Sequence, residues 1–264
     1  QWLGNESKRH VSVDTYAKKL FFKGDRRNLH ELKAVLSTYL TIEQSIKQAD
    51  KRYDAFFATI LKNDSNYKVF LPEDLKIITW NYDTQLEKSF YEFCEDNKHV
   101  EDSITFKNNQ IYRVNGYCGT PQPGHVGNAF RSVWQAKDSE SAWRAGLQLF
   151  MGYEDTTHSN EPDIRFAWEE KTKNRMANNN TDLESIETCV IIGYSFPYFN
   201  REIDDNIWLS LSNVRKIYLQ YPDGYHASVI NRVKSLFHPI VEPEIIQIPI
   251  SDKEFYIPEE IWKL

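Results

Sequence analysis

The sequence predicts an α/β fold, a parallel sheet flanked by helices with a helical segment ahead of it, and three observations predict it. From residue 75 onward, short β-branched runs alternate with helix-length amphipathic stretches, as in parallel strands joined by crossover helices. One of those runs, Cys189–Ile192, is apolar throughout, which predicts a strand buried on both faces. The first sixty residues instead follow the helical period.

Helices are predicted over 13–22, stopped by Lys23-Gly24, over 29–46, and over 53–61. In the second, Leu29, Leu32, Val35, Leu36, Tyr39, Leu40 and Ile42 recur mostly every three or four residues. Leu75–Trp80 is too short for a helix and suits a strand, and 84–94 is amphipathic, with Leu86, Phe90 and Phe93 on one face. A second strand is Ile111–Val114. Residues 117–128 hold five glycines or prolines and are expected to be loop, followed by helices near 140–151 and 164–176, the latter broken by Asn178–Asn180. Strands 188–192, 215–219 and 245–248 and a helix over 226–237 complete the chain. The expected division is a helical segment, 1–70, packed on a core, 71–264, with a helical insertion around 120–185. The chain does not begin with Met, and it is expected to start partway into a longer protein.

Composition narrows the function classes. The 264 residues are 41% hydrophobic and 27% charged, so a sizeable core can be buried. Lys plus Arg number 32 against 38 Asp plus Glu, a net charge of −6, which argues against sequence-independent nucleic-acid binding. No apolar run reaches the roughly 20 residues a bilayer requires, and no signal peptide is evident. Cys94, Cys118 and Cys189 are odd in number, far apart and without a Cys-x-x-Cys pair. A four-cysteine zinc site is therefore excluded and a reducing, cytoplasmic setting expected. The histidines show no ligand spacing, so no metal is expected.

In an open α/β sheet, ligands sit beyond the carboxyl ends of the strands, which directs attention to three segments. Thr79-Trp80-Asn81-Tyr82-Asp83 follows the first strand; Asn81 and Asp83 could hold a ribose and a carboxamide, or cap the helix that begins at Thr84. Asn115-Gly116 follows the second, and Asn-Gly is also a favoured turn pair. Gly193-Tyr194-Ser195 follows the third. There Gly lets a phosphate approach the backbone and Ser can donate to it, although a lone Gly-x-Ser is also an ordinary tight turn.

Taken in order, Ile77–Glu87 (IITWNYDTQLE), Tyr112–Gly116 (YRVNG) and Val190–Pro197 (VIIGYSFP) resemble the SIR2-like family, in its bacterial antiphage-defence form rather than its deacetylase form. The segment 12–20 also looks like one these proteins carry upstream, and the resemblance spans most of 12–210. It implies a Rossmann-like (SIR2/DHS-like) sheet that binds NAD. It implies that Asn81, Asp83 and the position of Asn115 serve the nicotinamide ribose and carboxamide. Thr79, Trp80, Gly116, Gly193, Tyr194 and Ser195 would line the nucleotide, with Gly193 and Ser195 at its phosphates or ribose. The implied reaction is hydrolysis of NAD to nicotinamide and ADP-ribose. The implied partners are NAD or ADP-ribose and either a further copy or another defence protein.

Two departures bear on activity. The family's opening Gly-Ala-Gly loop has no counterpart before Leu75, and the family's catalytic His is replaced by Asn115. An amide cannot take a proton near neutral pH as an imidazole can. Cleavage through an oxocarbenium-like state would then rest on positioning and electrostatics, or on His125 from the loop after it. A catalytically impaired NAD or ADP-ribose sensor, or an oligomerisation scaffold, is the alternative. The sirtuin zinc module is missing, which argues against a peptide deacetylase.

Overall fold

Side-chain caps set where the first helices begin. Ser12 accepts the Thr15 N–H at the start of α1 (Val13–Phe22), and Asp25 accepts that of Asn28 at the start of α2 (Arg26–Ile46). Asp50 does the same for Arg52 at the start of α3 (Lys51–Ile60). The remaining elements are β1 (Lys62–Asn63), β2 (Val69–Phe70), β3 (Ile77–Thr79), α4 (Gln85–Tyr91), β4 (Ile111–Arg113), α5 (His125–Trp134) and α6 (Ser139–Glu154). They are followed by β5 (Thr188–Ile192), α7 (Arg201–Ser210), β6 (Lys216–Tyr221), α8 (His226–Lys234), β7 (Glu244–Pro249) and α9 (Glu259–Trp262). The computed structural model describes residues 6, 9–65, 69–94, 110–118, 125–155, 160–169, 183–236 and 242–263.

The chain divides into two compact units, and not at one point: residues 1–48, 80–85 and 115–166 form the first, and 49–79, 86–114 and 167–264 the second. The division is interleaved along the chain, which changes unit after Gln48, Thr79, Gln85, Val114 and Phe166.

The first unit is helical. Its core joins Ala34 and Ile42 of α2, Ala129 and Val133 of α5, and Ala142, Ala145, Leu149 and Tyr153 of α6. Gly146 lets α2 approach, since a Cβ there would lie 2.3 Å from Ile42 Cδ1. The apolar periodicity of α2 predicts only part of its buried face: Leu32 and Ile42 are buried. Val35, Leu36 and Leu40 are only half-buried and Tyr39 is exposed, whereas Ser37, Thr38, Thr41 and Gln44 are buried.

The second unit holds every described strand. β3 and β4 pair in parallel, as do β5, β6 and β7 in that order, while β1 and β2 form a small antiparallel pair. Mixed α/β architecture with parallel sheets flanked by helices is therefore present. Burial differs from expectation. β6, with Ile217–Tyr221 all buried, is the middle strand, whereas all-apolar β5 is half-buried and ends in exposed Ile192. Its other neighbour in the described sheet is absent, so continuous apolar sequence there does not mean coverage on both sides. Phe57, Ile60, Leu71, Leu75, Leu86 and Phe90 form a further core, beside the buried ion pair of Arg113 with Glu87.

Other expectations shift. His125 begins α5 rather than lying in a loop, because the Gly/Pro-rich stretch gives way to a strongly amphipathic segment. The helix expected over 164–176 does not form over 164–169, which is turn and irregular chain held by the Arg165 N–H to Asn115 O bond; residues 170–180 lie outside the described residues. Among the described residues no helix is long and apolar enough to cross a membrane.

Candidate functional site

The first unit carries Trp80, Asn81, Asp83, Asn115 and Gly116; the second carries Thr79, Gly193, Tyr194 and Ser195. Each set has its own geometry.

In the first unit two inserted segments, 80–85 and 115–118, are tied directly to each other. The Asn115 Nδ2 donates to Trp80 O at 2.8 Å, and the Cys118 N–H donates to Tyr82 O at 2.7 Å. Asn115 is 7% exposed, and its Oδ1 is buried with no hydrogen-bond partner among the described residues. A buried acceptor left unsatisfied costs about 1–3 kcal/mol, so this oxygen is the site's strongest mark of a missing donor. Gly116 has φ +66°, and a Cβ would lie 1.8 Å from Asp163 O. Chain packing against Asp163 therefore accounts for glycine at this position. Asp83 Oδ1 accepts the Gln85 N–H at 3.2 Å, the capping role open to it from sequence. Asn81 is exposed. Tyr82 between them donates its hydroxyl to Asp14 Oδ1 at 3.2 Å, and burial pushes the Asp14 carboxyl up from its ordinary range.

In the second unit, Thr79 ends β3 and its carbonyl accepts the Val114 N–H. The turn after β5 is held at every residue. The Gly193 N–H donates to Gln220 O, the Tyr194 carbonyl accepts from the Tyr221 hydroxyl, and the Ser195 carbonyl accepts from Arg232. Gly193 has φ +65°, and a Cβ there would meet nothing within 4 Å, so the space over this backbone is open. Ser195 is exposed. Phe196, at φ +49°, is buried against Tyr194 and Trp208, while Tyr198 is 81% exposed. Of the segment 196–199, only Phe196 acts as a packing plug.

Sequence reasoning missed the residues that hold these turns. Beneath Tyr194 lie Asp204 and Asn200. The tyrosine hydroxyl donates to Asp204 Oδ1 at 2.8 Å and accepts from Asn200 Nδ2 at 2.8 Å. Burial pushes the Asp204 carboxyl up to about 7; Asp205 adds to the rise, while the Tyr194 hydrogen bond and Arg201 oppose it. Burial and the same carboxylate push the Tyr194 hydroxyl well up. The available signal was an Asn and an Asp four residues apart, one helical turn, directly after the Gly193–Ser195 turn. In the first unit the signal was the uncharged polar series Ser37, Thr41 and Gln44, at helical spacing within α2.

Among the described residues no group of three or more His, Cys, Asp or Glu could hold a metal. Comparison with protein-family models, with curated proteins and with solved structures finds no match to this chain.

Proposed function

We propose that this chain is a SIR2-like NAD-binding protein with a Rossmann-like sheet, and an NAD hydrolase of the antiphage-defence type. The ordered resemblance of the three strand-end segments motivates the proposal. The observation that carries it is the buried Oδ1 of Asn115, which has no hydrogen-bond partner among the described residues and is an acceptor suited to a ribose hydroxyl. In this reading Asn115 and Asn81 orient the nicotinamide riboside, with Asp83 beside them. The negative end of the Asn115 amide faces charge that builds on the sugar as the nicotinamide bond breaks. Taken by itself, the Gly193–Ser195 turn of the second unit is a candidate for binding a phosphate, supported by the open space over Gly193 and the exposed Ser195. Water then completes hydrolysis to ADP-ribose and nicotinamide.

A second reading, binding without turnover, is favoured by one observation: position 115 holds an amide, which cannot serve as a general base. Calorimetric titration of NAD, with nicotinamide release followed on the same preparation, separates the two. Heat with release supports the hydrolase, and heat without release supports the sensor. Absence of heat, or equal binding and release by Asn115→Ala, overturns the assignment of this residue and with it the proposal.

A further inference from the structure

We infer that Gln44, on a helix remote in sequence from all three strand-end segments, is the positioning residue that locks Trp80–Gln85 and Asn115–Cys118 into one arrangement; as a statement about catalysis, this rests on the function proposed above. A single side-chain amide spans both segments. Its Oε1 accepts the Thr84 N–H and, at 2.7 Å, the Thr84 hydroxyl. Its Nε2 donates to Cys118 Sγ at 2.9 Å and to Leu40 O at 2.8 Å. Those four bonds are two accepted at the amide oxygen and two donated from the amide nitrogen. Thr84 stands one residue beyond Asp83, and Cys118 two beyond Gly116, so the clamp grips each segment just past its candidate ligand-binding residues.

One helical turn earlier the same face continues the grip. The Cys118 carbonyl lies within hydrogen-bond reach of the Thr41 hydroxyl, whose single proton it shares with Ser37 O at 2.7 Å, and of the Ser37 hydroxyl at 3.2 Å, which also meets the Tyr153 hydroxyl. Ser37, Thr41, Gln44, Thr84 and Cys118 are each at most 7% exposed. In this buried setting the contacts are not exchanged for water, and losing one leaves an unsatisfied group. Beside its apolar buried positions Leu32, Ala34 and Ile42, helix α2 thus buries polar side chains that hold two irregular segments. The buried Thr84 N–H and Cys118 carbonyl require partners on structural grounds alone; the same bonds fix the segments that set Asn115 against Trp80, where a 1 Å misplacement can cost about 100-fold in rate.

The test compares Gln44→Met, which keeps volume and removes all four bonds, with Thr41→Val, which removes one donor to Cys118 and leaves Thr84 untouched. Amide hydrogen exchange is read at Thr84, at Cys118 and in strand 216–221 as reference. The expected result for Gln44→Met is acceleration of about 10-fold or more at both Thr84 and Cys118, with the reference strand unchanged. Thr41→Val accelerates Cys118 alone. In NAD hydrolysis Gln44→Met lowers kcat by about 10- to 100-fold while KM moves less than about 3-fold. Unchanged exchange, acceleration spread equally to the reference strand, or an unaltered kcat beside loosened segments overturns the inference. A wild-type chain that neither binds nor cleaves NAD overturns the function and not the clamp, which the exchange pattern then decides alone.

Discussion

Replacing Asp204 by Asn tests whether the Gly193–Ser195 turn is anchored on a buried acid. Asp204 is 1% exposed and lies beneath the Tyr194 hydroxyl. Its carboxyl is held at about 7, against an ordinary 3.8. The folded chain therefore keeps this proton between those two values while the unfolded chain releases it. Stability is fully present below pH 4 and falls as pH rises through 7. One pH unit is worth about 1.4 kcal/mol, so the whole interval amounts to about 4 kcal/mol. Asn at 204 keeps an acceptor for Tyr194 and cannot ionise. Between pH 5 and pH 8 the variant should gain about 3 kcal/mol on the wild type. Urea unfolding of both proteins at unit pH steps measures this as a widening gap that levels off above pH 7. A gap that is constant with pH, or that narrows, refutes the assignment of a protonated carboxyl to this position.

Two glycines with the same backbone angle should respond differently. Gly116→Ala drives a Cβ into the Asp163 carbonyl and should unfold the helical unit, seen as loss of its thermal transition. Gly193→Ala meets open space and should cost only the left-handed strain, about 1–2 kcal/mol in urea unfolding. Arg113→Met strands Glu87, whose side chain is 6% exposed, and should cost about 3–5 kcal/mol; adding Glu87→Met should restore most of it in a double-mutant cycle.

The strands and most helices were legible because period and turn residues are local signals. Helices 13–22 and 139–154, and strands 188–192 and 216–221, fall within a few residues of where periodicity puts them. Long-range partnership was not legible. Nothing local distinguishes β6, with its Lys216 and Gln220, as the middle strand over the more apolar β5. Gln220 is tolerated there because its amide donates to Glu254 O and accepts the Tyr256 N–H, partners more than thirty residues away. The same reason hid the polar part of the buried face of α2, whose residues read as solvated until the segments they grip are known. The strand-end residues were legible as candidates by their place after each strand. Which of them is explained by packing, as Gly116 is, and which keeps an unsatisfied atom, as Asn115 does, depends on Asp163 and Trp80, far off in sequence.

Those same neighbours make Asn115→His a fair test of whether this chain is a lapsed enzyme. Among the described residues the Asn115 side chain donates from Nδ2 to Trp80 O and its Oδ1 meets no donor. A neutral imidazole also offers one N–H and one acceptor. It can donate to the Trp80 carbonyl and leave its second nitrogen as the unpaired acceptor, now one that takes a proton. The larger ring must fit a position that is 7% exposed, so folding is checked first by thermal unfolding, with a loss of about 1–3 kcal/mol expected. If the site binds NAD and lacks only a base, nicotinamide release should rise by about 100-fold, the lower end of what a positioned general base contributes. That gain should disappear on the acid side as the imidazole protonates, near its ordinary value of about 6.5. A folded variant that binds NAD as tightly as the wild type and releases no more nicotinamide at any pH would show that the missing proton acceptor is not what limits this site.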